Sequence, residues 1–167
     1  MDELNGLNRP ELLIIYDYHP KEVFATKIGE YLEENSFLSS VRVVKYSDRP
    51  DVKKSNYYLR RFAVSFNPII SPIVLHGDDN HFDAALIYKS KLKKISRRAQ
   101  NSLLDFCFSQ YEEKNLLVCY GKFTDINTKC SIIDIELNEK MGFEAAIDLV
   151  KCFSRYLIDL YKKKIVL

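Results

Sequence analysis

The chain has 167 residues, 47% of them apolar and 13% aromatic, enough to build one core of the common 100 to 200 residue size and too apolar to stay disordered. Five glycines and five prolines exclude a collagen-like or loop-rich chain, and 25 basic against 23 acidic residues, a formal charge of +2, exclude a surface that is cationic throughout. No apolar run reaches the roughly 18 residues of a membrane helix and the polar start lacks the order of a signal peptide, so the expectation is one soluble, cytoplasmic domain over residues 1–167 with no membrane partner.

Residues 12–18 form a short apolar run that reads as a buried strand. A helix is expected to follow, with Pro20 at its first position, Glu22 in its N-terminal turn, and Phe24, Ile28, Tyr31 and Leu32 recurring at helical spacing until Asn35 and Ser36. The β-branched alternation of residues 41–46 predicts the next strand, and the strand-helix-strand start favours an α/β fold. A turn at residues 48–51 leads into a stretch, 53–66, that reads as irregular or briefly helical. Residues 69–75 give a strand that is interrupted by Pro72 or begins at Ile73. Further strands are expected over 82–88, 116–120 and 130–137, and helices over 96–113 and 142–163. This order predicts an α/β architecture with three α/β/α layers around a mixed, mostly parallel sheet, as in phosphorylase-like and hydrolase-like folds.

The three histidines follow apolar runs: His19 after residues 12–18, His76 after residues 73–75, and His81 five positions on. Strand ends are where open α/β sheets place ligands. His19 and Glu22, three apart across a loop-to-helix junction, can converge on one point, and with His76 they make a two-histidine, one-glutamate set of the kind that holds catalytic Zn²⁺. The same pair also suits a plain helix N-terminus, and His76 and His81 suit polar loop positions around Gly77 and Asp78. Zinc hydrolysis needs a further carboxylate to take a proton from water. Period-two alternation puts Ile132, Asp134 and Glu136 on one face of the late strand and Ile133, Ile135 and Leu137 on the other. Two acids inside an apolar strand call for a physical reason.

His19-x-x-Glu22, an Asn/Arg segment, His76 after a strand and a late strand Glu together resemble the zinc carboxypeptidase superfamily. The closer likeness is to the aspartoacylase and succinylglutamate desuccinylase branch and to N-formylglutamate amidohydrolases. The resemblance implies zinc ligands His19, Glu22 and His76, with Glu136 as general base. It also implies a substrate-binding element within residues 56–62, where Asn56 and either Arg60 or Arg61 hold the substrate carboxylate. The chain departs from the family pattern in its shortness and in the separation of Asn56 from the arginines.

The function expected on these grounds is a zinc-dependent, carboxypeptidase-like amidohydrolase acting on an N-acyl amino acid or small peptide that carries a carboxylate. Two alternatives stand beside it. The basic segment 89–98, with Lys89, Lys91, Lys93, Lys94, Arg97 and Arg98, would suit a nucleic-acid-binding or tRNA-acting protein, and the same general fold includes an archaeal type of D-aminoacyl-tRNA deacylase. A non-catalytic member of the fold is the other alternative, with some of the 11 tyrosines and 10 phenylalanines covering a homodimer interface. The four cysteines, none in a Cys-x-x-Cys pair, read as reduced core thiols.

Overall fold

The structure is a computed structural model, and it describes residues 9–19, 21–46, 56–77, 85–89, 117–119 and 132–165. The chain runs β1 (Leu12–Tyr16), α1 (Val23–Glu34), β2 (Val41–Lys45), α2 (Asn56–Ser65), β3 (Ile73–Gly77), β4 (Ala85–Lys89), β5 (Leu117–Cys119), β6 (Ile133–Leu137), a 3-10 turn (Glu139–Met141) and α3 (Phe143–Ile165). The strands lie in the order β2-β1-β3-β6-β4-β5. The first four are mutually parallel, while β4 runs antiparallel to β6 and β5 runs parallel to β4.

Alternation along each strand builds the layers. Leu12, Ile14 and Tyr16 of β1 face one way and pack with Ile28 and Leu32 of α1 and with Val150, Phe153 and Leu157 of α3. Leu13 and Ile15 face the other way and pack with Val74, Ile132, and Leu59 and Ala63 of α2. All five β1 residues are buried, each large apolar side chain adding about 1.5–3 kcal/mol of hydrophobic stabilisation, which is why this strand reads as a continuous apolar run. Alternation also holds at β6, where Ile133, Ile135 and Leu137 enter the α1/α3 core and Ile132, just before the strand, the α2 core. The expected three-layer α/β/α architecture with a mixed, mostly parallel sheet is present.

Several boundaries differ from expectation. β1 ends two residues early because Asp17 takes a left-handed backbone, φ 61, which no strand can continue through. The helix expected from Pro20 starts at Val23: Glu22, with non-helical ψ 63, donates its N–H to the His19 carbonyl at 3.0 Å and so closes a turn first. The stretch expected to be irregular or briefly helical contains a ten-residue helix, because Leu59 and Ala63, four apart, bury one stripe against the sheet. β3 begins at Ile73, just after Pro72, and runs through His76 to Gly77. The expected helix over 96–113 lies outside the described residues.

The connectivity creates a crevice. From β1 the chain crosses by α1 to β2 on one side, then by α2 to β3 on the other, with α1 and α2 on opposite faces. The carboxyl ends of β1 and β3 therefore flank the point where strand order reverses, the usual ligand position of an open α/β sheet.

Candidate metal centre

His19 lies three residues past β1, and His76 occupies the penultimate position of β3, so both sit at that crevice. The left-handed turn at Asp17 redirects the chain. It is pinned by the Thr26 hydroxyl, 3.2 Å from Asp17 Oδ1, and by Lys45 Nζ, 3.4 Å from Asp17 Oδ2. The turn from His19 then swings Glu22 to the start of α1 beside the end of β3. Gly77 permits this closeness, since a Cβ there would sit 3.1 Å from Cβ of Glu22.

One ligand atom from each of His19, Glu22 and His76 lies within 4.8 Å of the others. Nδ1 of His76 is 3.4 Å from Oε2 of Glu22, and its Nε2 is 3.1 Å from Oδ1 of Asp134. Tyr18 packs along the cluster, its ring centroid 4.5 Å from that of His19 and 5.8 Å from that of His76. Tyr46 and Phe62 extend this aromatic wall toward α2.

The donor set fits a metal ion on two observations. Oε2 of Glu22 is buried and accepts no hydrogen bond although His76 Nδ1 is close by, an arrangement that costs about 1–3 kcal/mol unless something else satisfies the oxygen. Ligand atoms about 2.0–2.1 Å from a tetrahedral zinc lie roughly 3.3 Å apart, close to the spacing of that pair. Two imidazole nitrogens and one carboxylate leave a fourth tetrahedral position for water.

Burial by itself pulls the His76 imidazolium down, but the Asp134 and Glu22 carboxylates outweigh it and raise the ring to about 9. Since this folded value lies above the unfolded one of about 6.5, the charged ring contributes its full stabilisation to the metal-free fold below about pH 6.5. That contribution disappears as pH rises through about 9. Chelator-treated protein is therefore expected to lose thermal stability between pH 6.5 and 9.5, by calorimetry, while a His76→Gln variant shows no such loss. A wild type equally stable across this range would contradict the pairing.

The other expected residues are distributed as follows. Glu136 lies on the α2 face of β6 two residues beyond Asp134 and is the register partner of His76. Arg61 is exposed on α2. Arg60 and Asn56 belong to the same helix, and their side chains lie outside the described residues, as do His81 and the basic segment beyond Lys89. Sequence reasoning set Asp134 on this face without giving it a partner; its hydrogen bond to His76 joins residues 58 apart in the chain. Among the described residues no helix is long and apolar enough to cross a membrane, and Cys152 is a free thiol.

No family model matches the sequence, and no curated protein matches it. Solved structures do. The metallo-carboxypeptidase of Burkholderia cenocepacia superimposes with TM-score 0.50 at 12% identity, over 99% of this chain and 59% of its own. Murine aminoacylase 3 gives TM-score 0.59 at 12% identity, over 93% and 66%. An N-acetylmuramoyl-L-alanine amidase of Nostoc punctiforme gives 0.53 at 11% identity, over 94% and 99%. At this identity the likeness is one of fold. The chain shares the α/β fold of these hydrolases and spans less than two thirds of the length of the first two.

Proposed function

We propose that this chain is a zinc-dependent hydrolase of amide C–N bonds, acting on an N-acyl amino acid or a small peptide with a free carboxylate. The observation that carries this reading is the convergence of His19, Glu22 and His76 at the strand-order switch of a fold shared with a metallo-carboxypeptidase and an aminoacylase. His19, Glu22 and His76 would hold the ion. When bound, zinc supplies Lewis acidity that lowers the pKa of water to about 7 and polarises a carbonyl.

The chain's own residues supply the rest. Glu136, on the same face of β6 as Asp134, takes a proton from water as it adds to the carbonyl and returns it to the departing amine nitrogen. Arg60 or Arg61, with Asn56, orients the substrate carboxylate, Arg being suited to a bidentate grip; α2 packs over the face that carries His76 and Asp134. Holding the substrate through this end fixes the scissile carbonyl relative to the water.

The test is the metal content of the full chain by plasma emission, together with hydrolysis of N-acyl amino acids and dipeptides with and without chelator. One zinc per chain and chelator-sensitive turnover are expected. Glu136→Gln should keep the zinc and lose about 10²–10⁴ in kcat. A wild type that holds no zinc overturns the metal reading; stoichiometric zinc without turnover across the panel overturns the enzymatic one.

A further inference from the structure

We propose that Asp134 is the positioning residue of this centre: its carboxylate accepts the Nε2 proton of His76, fixes the ring's tautomer and orientation, and so presents the Nδ1 lone pair to the metal. This rests on the reading of His19, Glu22 and His76 as metal ligands.

The geometry separates the two ring nitrogens by role. Nε2 lies 3.1 Å from Oδ1 of Asp134, whereas Nδ1 lies 3.4 Å from Oε2 of Glu22, itself one of the three gathered ligand residues. A neutral imidazole carries one proton, and a carboxylate at Nε2 draws it there. Both side chains are only 14% exposed, so water competes weakly for either.

The placement of Asp134 has no simpler structural explanation. It sits on β6, a strand interior to the sheet, between Ile133 and Ile135, which are both fully buried. An ionised group in such a place is costly unless it is paired. Parallel pairing sets Val74 beside Asp134, and His76, two residues further along the same face, turns its ring back over that acid. In metal sites a carboxylate behind a ligating histidine raises the ligand's basicity and stops the ring from rotating, and its removal typically costs 10–100-fold in metal affinity.

The experiment uses the full chain with Zn²⁺ as the probe, in competition with a chromophoric chelator. Asp134→Asn keeps size and removes charge. It is expected to bind one zinc per chain 10–100-fold more weakly than wild type, with an unchanged far-UV spectrum. Long-range ¹H–¹⁵N spectra of the metal-free wild type, taken at alkaline pH where the ring is neutral, should show the His76 proton on Nε2; in Asp134→Asn it should divide between the nitrogens. Zinc affinity within twofold of wild type, with an unchanged ring, overturns the role of Asp134 and leaves the metal centre standing. If neither protein binds zinc, it is the metal reading that fails. The wild-type spectrum still judges the pairing even if the variant does not fold, and a proton found on Nδ1 overturns it.

Discussion

Replacing His19 with alanine is expected to weaken zinc binding by about a hundredfold or more and to abolish amide hydrolysis while leaving the fold intact. Zinc bound by protein ligands is worth about 10–16 kcal/mol, so losing one of three ligands removes about 3–5 kcal/mol, and each 1.4 kcal/mol is tenfold in affinity. His19 is the cleanest of the three to remove, because it is exposed and follows β1 in a turn. Removing His76 is less clean: it leaves Glu22 and Asp134, both near that ring, without the group that lies between them. Chelator competition and melting curves read the two effects separately. His19→Ala protein that keeps stoichiometric, tightly held zinc would eliminate this site.

Gly29→Ala is expected to be the most destabilising single-methyl change in the described chain. Gly29 lies in α1 against β1, and a Cβ built on it would fall 2.1 Å from Cγ and 2.4 Å from Cβ of Tyr16. The Tyr16 ring has no room to retreat. It is buried in the α1/α3 core, and its hydroxyl donates to the Glu33 carboxylate on the same helix. Overpacking of this kind commonly costs about 1–3 kcal/mol and more where backbone must move, against about 1 kcal/mol gained from the better helix propensity of alanine. Here α1 must lift from the sheet, so a net loss of about 3 kcal/mol is expected, or a fall of roughly 6–12 °C in Tm. Because Glu22 immediately precedes α1, the same displacement should weaken zinc binding. A Gly29→Ala protein melting with the wild type would show that α1 and β1 do not approach as closely as described.

What was legible in the sequence was local. The alternation 132–137 gave the two faces of β6, and the apolar runs at 12–16 and 73–75 gave the central strands, because a strand's two-residue period and its burial are written in consecutive side chains. The helix α2 was obscured by Asn56, Tyr57, Tyr58 and Val64, residues of modest helical preference; burial of Leu59 and Ala63, with Phe62 beside them, against the sheet stabilises it. The early end of β1 depended on a positive φ at Asp17, held by Thr26 and Lys45 from other elements.

The site divides in the same way. The nearness of His19 and Glu22 was determined by the sequence alone, since three residues of chain cannot carry them far apart. That His76 joins them, that Asp134 meets the ring of His76, that Gly29 must lack a side chain and that Gly77 lies close against Glu22 were decided only by the tertiary structure. Each of these follows from the order and register of strands distant in the chain, which depend on how whole faces pack and are not encoded in any one segment.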